Sequence, residues 1–164
     1  MFRQAVTTLA IALACAMAVL PLPGRAATNF SDSDREQIAA LFAKQASAAT
    51  AHDLAAFASV LADASADGTD PVVFVARAYR YWGKAALVEH FRETFKGVWK
   101  FAPDMAQLRI VALTPDVAQL YAPTQITLGH TDADARTAPY LVYEVAVRTP
   151  DGWRIGAIVP IAAQ

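Results

Sequence analysis

A few polar side chains that could perform acid–base chemistry lie inside otherwise apolar stretches of this sequence. Glu144 is in the middle of the alternating run 140–149, and Gln45 falls at the centre of the apolar stripe of a predicted helix. His90 lies at the edge of another such stripe, beside Phe91. A carboxyl group in an apolar pocket has a raised pKa and can act as an acid, and histidine exchanges protons near neutral pH. These residues define a possible acid–base site.

Each of these residues also has a structural interpretation. Glu144 would pair with an arginine on a neighbouring strand if it lay on the outer or dimer face of the sheet, and its charge favours that placement. Gln45 would either satisfy a backbone group in the core or face a hydrated pocket and bind a ligand oxygen. We predict the second, because a dry and unpaired amide would cost about 1–3 kcal/mol. His90, at the boundary of its helix stripe, is more often structural than catalytic.

Aromatic side chains with polar tips could line a small-molecule pocket. Tyr81 and Trp82 precede the third predicted helix, and Tyr121 shares one face of a long strand with Gln125. Such rings suit an apolar binding pocket and an ordinary core rim equally well. The sequence assigns no catalytic residue. The predicted ligand-binding residues are Gln45, Tyr81, Trp82, His90, Tyr121 and Glu144.

Metal and nucleophilic chemistry find little support in the sequence. Residues 63–68 are similar to the first half of a calcium loop, but Phe74 stands where such a loop needs a bidentate glutamate. His130, Asp132 and Asp134 lack a second histidine and a rigid frame. No Gly-x-Ser-x-Gly elbow occurs. We therefore predict no metal, no cofactor and no nucleophilic triad.

Residues 1–26 have the pattern of a secretory signal peptide. Arg3 supplies a positive start, residues 5–22 are almost wholly apolar, and small residues flank Arg25. A retained membrane anchor and acylation at Cys15 are the alternatives, but prolines break the apolar run and it continues past the cysteine. We predict cleavage after Ala26, export to the periplasm or beyond, and no stable membrane insertion afterwards. The mature chain would then contain no cysteine and form no disulfide.

The charge of the predicted mature chain argues against nucleic acid as a partner. The whole sequence has 14 basic and 15 acidic residues, and removal of Arg3 and Arg25 leaves 12 basic residues and a net charge of −3. No cluster of basic residues is present to neutralise phosphates. The remaining length is enough for one domain with its own core, residues 27–164.

Capping residues and hydrophobic spacing predict three helices. Ser33 and Glu36 form a possible capping box at the start of the first helix, and Ser31 with Asp34 forms a second possible one. Asp53 is a good N-cap for a short second helix. The apolar stripe of the third helix starts after Gly83 and reaches residue 98.

Alternating apolar runs bounded by Pro, Asp and Gly predict strands joined by tight turns. The predicted strands are residues 72–76, 79–82, 107–113, 117–128, 140–149 and 153–161. Helices followed by a meander of strands are typical of an α+β fold, in which helices cover one face of a mostly antiparallel sheet.

The order of these elements carries five short motifs that, taken together, resemble the nuclear transport factor 2-like superfamily. The motifs are His52-Asp53-Leu54, Phe74-Val75, Gly83-Lys84-Ala85, His90-Phe91 and Asp151-Gly152-Trp153-Arg154-Ile155. The sequence is most similar to the secreted bacterial SnoaL-like and ketosteroid-isomerase-like branch. This resemblance implies a cone-shaped α+β barrel, with three N-terminal helices packed on a curved sheet around an internal pocket.

The resemblance does not fix a reaction. Isomerases of the superfamily take a general base from the first strand, but residues 72–79 contain no acid. We therefore predict an exported domain that binds an apolar or amphipathic small molecule. The alternative is a pocket enzyme with acid–base chemistry, of the SnoaL-like isomerase, dehydratase or cyclase type. Convergence of His90, Glu144 and Gln45 on one cavity would favour the enzyme.

Assembly is expected to involve the outer face of the sheet. Members of the superfamily often dimerise through the sheet, and this sequence has more apolar strand positions than helices on one face can cover. The predicted surplus positions are Val142, Ala146, Ile158 and Ile161. We predict a homodimer.

Overall fold

The computed structural model describes residues 29–77 and 79–163, which form three helices and seven strands. The predicted signal peptide lies outside the described residues, so export remains a prediction. The helices are α1 (Asp32–Thr50), α2 (Leu54–Val60) and α3 (Lys84–Thr94). The strands are β1 (Val73–Ala76), β2 (Tyr79–Trp82), β3 (Val98–Pro103), β4 (Arg109–Thr114), β5 (Val117–Gly129), β6 (Arg136–Thr149) and β7 (Gly152–Ala162).

All seven strands belong to one curled sheet. Their order is β2-β1-β7-β6-β5-β3, and β4 pairs with the first half of β5. Every pairing is antiparallel except that of β1 with β7. The helices pack on the inner face of this sheet, so the predicted α+β class with three helices on a mostly antiparallel sheet is confirmed. No helix in the described part of the chain is long and apolar enough to cross a membrane.

The first helix uses the second of the two predicted capping boxes. Ser31 Oγ accepts a hydrogen bond from the backbone N–H of Asp34, and Asp34 Oδ2 accepts one from the backbone N–H of Ser31. The box from Ser33 and Glu36 is therefore wrong. The reason is that Asp34 points towards the sheet and is buried, whereas Glu36 is exposed.

Strand β3 was not predicted, because its first residue continues the spacing of the preceding helix. Helix α3 ends at Thr94, and Val98 begins the strand instead of closing the helical stripe. Gly97 lies so close to β5 that a Cβ atom there would meet the carbonyl oxygen of Gly129 at 2.5 Å. A glycine at this corner therefore lets the backbone turn tightly from the helix into the sheet.

The core lies between the helices and the inner sheet face. Phe42 and Phe57 from the helices, and Leu120 and Ile155 from the strands, are at most 1% exposed. Successive strand residues point to opposite faces, so alternate positions of β5 (Ala118, Leu120, Ala122) are buried and those between them are not.

This alternation corrects three of the four positions predicted to be surplus on the outer face. Val142, Ala146 and Ile158 are buried on the inner face, whereas Ile161 is 52% exposed on the outer one. The outer face nevertheless carries apolar side chains across the sheet. We call the residues that face one another from β2 to β4 the outer row: Trp82, Val73, Ala157, Val145, Gln119 and Val111.

Candidate ligand-binding cavity

A cavity of about 880 Å³ opens between α3, the β1–β2 hairpin and one end of the sheet. At that end β3 and β6 begin, and β5 and β7 finish. Its walls are mainly apolar and aromatic. They include Phe74, Tyr79, Trp99, Ile126, Tyr140 and Pro160. A concave, largely apolar site of this size is suited to a small organic molecule.

His90 supplies a polar group to the cavity wall. Its ring is stacked on that of Tyr81, with 4.3 Å between the ring centroids and 16° between the planes, and the Phe74 ring is 5.6 Å away. Burial among these rings lowers the pKa of His90, because a charged imidazole is poorly solvated there. The side chain is therefore a neutral donor or acceptor at neutral pH.

Glu144 and Gln45 form a buried pair in the core. Gln45 Nε2 donates to Glu144 Oε1 over 2.8 Å, and the two residues are 3% and 0% exposed. Burial raises the pKa of Glu144 to about 8, although the bond from Gln45 acts in the opposite direction. Among the described residues, Glu144 Oε2 and Gln45 Oε1 have no partner. A protonated carboxyl group would complement the amide, since it offers one donor and one acceptor where the amide offers the reverse.

The position of this pair overturns two predictions. Glu144 was expected on the outer or dimer face, but the sheet register sets it opposite the buried Leu120 and Ile158. Gln45 was expected to line the cavity, but it is not among the lining residues and its partner is a core carboxyl group. Both residues therefore belong to the core.

Two of the aromatic residues predicted to bind the ligand lie on the outer face of the sheet, away from the cavity. Trp82 is paired with Val73 on the outer face and is 68% exposed, and Tyr121 alternates with the buried Leu120 and Ala122. Tyr81 packs behind His90 without being part of the cavity lining. Of the six predicted ligand-binding residues, only His90 lines the cavity.

Several lining residues were missed at the level of sequence. Trp99 lies in the strand that was read as the end of a helix, and Tyr140 was assigned to a strand without a role. A β-branched residue followed by an aromatic one directly after Gly97 is a signal typical of a strand. That signal could have placed Trp99 in the sheet.

The described residues hold no obvious metal site. No group of three or more His, Cys, Asp or Glu side chains in that part of the chain is arranged to hold an ion. Asp134 instead binds its own loop, accepting hydrogen bonds from the side chain and backbone of Thr131 and the backbone N–H of His130. These bonds hold the pKa of Asp134 far below its ordinary value.

Solved structures with the same arrangement are known. A candidate aromatic ring hydroxylase from Novosphingobium aromaticivorans is 18% identical, with a TM-score of 0.68 over 80% of this chain and 90% of that one. A candidate dehydratase of the NTF2-like family from Streptomyces avermitilis is 17% identical, with a TM-score of 0.65 over 80% and 97%. A hexachlorocyclohexane dehydrochlorinase, LinA-type3, from Novosphingobium barchaimii LL02 is 12% identical, with a TM-score of 0.66 over 82% and 92%. No protein-family model and no curated protein sequence matches this chain.

The protein therefore has the nuclear transport factor 2-like fold, as the sequence motifs indicated. Identities this low establish the fold alone. The same fold serves unrelated activities, so the function has to be argued from the cavity.

Proposed function

We propose that the protein binds a small, mainly apolar molecule in this cavity without converting it. The observation that carries the proposal is the cavity itself, about 880 Å³ in volume and walled by aromatic rings. His90 adds a neutral hydrogen-bonding group that can orient a ligand. Aromatic walls favour flat or amphipathic ligands.

The acid–base alternative receives less support. Two of the similar structures bear the names of a dehydratase and a dehydrochlorinase, and by analogy His90 would be the base of such an enzyme here. A base of that kind needs a group that orients it, and among the described residues no hydrogen bond or ion pair joins the His90 ring to a carboxylate. Glu144 and Gln45 do not converge on the cavity with His90. Binding is therefore the function that we favour.

Binding can be tested with N-phenyl-1-naphthylamine, an uncharged aromatic probe that fluoresces in apolar surroundings. We expect saturable binding with one site per chain. Tyr140→Ala should weaken it about tenfold, because loss of one aromatic wall corresponds to about 1.4 kcal/mol. Tyr121→Ala is the matched control, since Tyr121 is on the outer face of the same sheet. Absence of saturable binding, or equal loss in both variants, would contradict the proposal.

We also propose that the outer face mediates homodimer formation. Leu141 and Ile161 lie opposite each other on that face and are 37% and 52% exposed, and the outer row extends across six strands. A second copy presents the same apolar surface, so two copies can bury these surfaces against each other. Sedimentation at micromolar concentration should show a dimer.

Changing Leu141 to lysine should convert this dimer into a monomer, because each interface would then contain two buried ammonium groups. Met105→Lys alters an exposed apolar residue in the turn between β3 and β4, and it should leave the dimer intact. A wild-type protein that sediments as a monomer would refute the assembly.

A further inference from the structure

The mouth of the cavity carries an excess of positive charge. Its charged side chains are Arg77, Glu93, Lys96, Asp134 and Arg136. Glu93 is paired with Lys96 over 2.6 Å, and Asp134 is engaged by amides and a hydroxyl of its own loop. Within residues 29–77 and 79–163, neither arginine has a carboxylate partner. The two guanidinium groups are therefore available to a ligand.

Arg136 is held in place at the start of β6. Its Nη1 atom donates to the carbonyl oxygens of Ala133 and Ala135, over 3.3 and 2.8 Å. A guanidinium group has five N–H donors, so this arrangement fixes the group and leaves further donors for an anion. Fixing the side chain in advance lowers the entropy lost when a ligand binds.

Arg77 also lines the cavity, and it lies in the turn between β1 and β2. Its backbone has a φ of 53°, in the left-handed region that non-glycine residues seldom adopt. Tight turns between antiparallel strands commonly require this conformation, and here Ala76 and Tyr79 pair on either side of the turn. Arg77 and Arg136 thus lie on separate elements that both contribute to the same mouth.

We propose that the ligand is an amphipathic anion, with an apolar or aromatic body between the cavity walls and a carboxylate or similar group at the mouth, where Arg77 and Arg136 supply guanidinium groups. This inference rests on the proposed binding function. Guanidinium groups bind carboxylates through paired, charge-assisted hydrogen bonds, which gives the anion a defined place. His90 is neutral and lies among the rings of the wall, so it does not draw the anion away from the arginines at the mouth.

Two probes that share one ring skeleton separate charge from apolar contact. N-phenyl-1-naphthylamine is neutral, and 8-anilinonaphthalene-1-sulfonate adds a sulfonate. We expect the sulfonate to bind about tenfold more tightly and to displace the neutral probe. Arg77→Gln and Arg136→Gln should each weaken sulfonate binding about fivefold or more and change neutral-probe binding less than about twofold. The control Arg109→Gln, on an exposed strand position of the outer face, should change neither.

The outcomes distinguish this inference from the function on which it rests. If neither probe binds, the proposed function itself fails. If the neutral probe binds but the sulfonate has no advantage, or binds without displacing it, the cavity proposal stands and the anionic ligand is refuted. Equal loss of both probes in the glutamine variants would also refute the anionic ligand. Arg136→Lys keeps the charge and should retain most of the preference for the sulfonate.

Discussion

The free energy of unfolding should fall as the pH rises from about 4.5 to about 8, by up to about 1.4 kcal/mol per pH unit, because of Glu144. In the unfolded chain this carboxyl group loses its proton near 4.5, whereas in the core it keeps the proton up to about 8. Between these values the folded state binds one proton more, so raising the pH favours unfolding. The stabilisation that comes from protonated Glu144 is therefore fully present below pH 4.5, decreases as the pH rises, and is lost above about pH 8.

Glu144→Gln tests this directly, because an amide cannot titrate but can still accept a bond from Gln45 and donate one back. The variant should match the wild type within about 1 kcal/mol near pH 4.5 and be more stable by several kcal/mol at pH 8. Urea unfolding at several pH values measures both. Glu36→Gln, at an exposed position on α1, is the control and should leave the slope unchanged. Parallel curves for wild type and Glu144→Gln would show that Glu144 is ionised in the folded protein.

Asp34→Ala should destabilise the protein by about 3–5 kcal/mol, the cost of breaking a buried ion pair from one side. Asp34 Oδ1 accepts from Trp153 Nε1 over 3.0 Å and is 2.8 Å from Arg148 Nη2, so this carboxylate joins the start of α1 to β6 and β7. Its loss would leave a buried indole N–H without its acceptor and would remove one of the two carboxylates that bind Arg148, the other being Asp116.

The neighbouring Asp32→Ala provides the control for this measurement. Asp32 lies in the same first turn, but its side chain is fully exposed and its contact with Arg35 is 4.0 Å long, so the change should leave the free energy of unfolding nearly unchanged. The acid range gives a second test. Burial by itself would raise the pKa of Asp34, but bonds from Trp153, Ser31 and Arg148 hold it well below its ordinary value of 3.8. Its contribution is therefore present above pH 3.8 and lost as the pH falls further, and equal acid sensitivity in Asp34→Ala would contradict this.

The parts of the fold that depend on local chemistry could be predicted from the sequence. The cap from Asp53 and the strand at residues 79–82 appear as expected, because capping and turn formation involve residues only a few positions apart. The face of each strand could not be predicted in the same way. Glu144 and Tyr121 each exchange sides if the register moves by one residue, and the register is set by pairings distant in the sequence.

The candidate site was therefore predicted less well than the fold. His90 was identified because a helical stripe defines inside and outside within one element. Trp99, Arg77 and Arg136 become neighbours of the same cavity only when β1, β3 and β6 are assembled in the sheet. No local pattern links these three residues, so their common role is visible only in the folded chain.

The close contact between Gly97 and Gly129 also determines how the cavity can be reached from solvent. Both glycines line the cavity, and the backbone at Gly97 is already so close to β5 that a Cβ atom there would collide with the carbonyl oxygen of Gly129. This side of the mouth is therefore closely packed and leaves little room for movement. The β1–β2 hairpin borders the cavity at the other end of the sheet, and among the described residues β2 pairs with β1 alone, through four residue pairs. We therefore expect entry and release of a ligand to involve this hairpin, which contains the two shortest strands of the sheet.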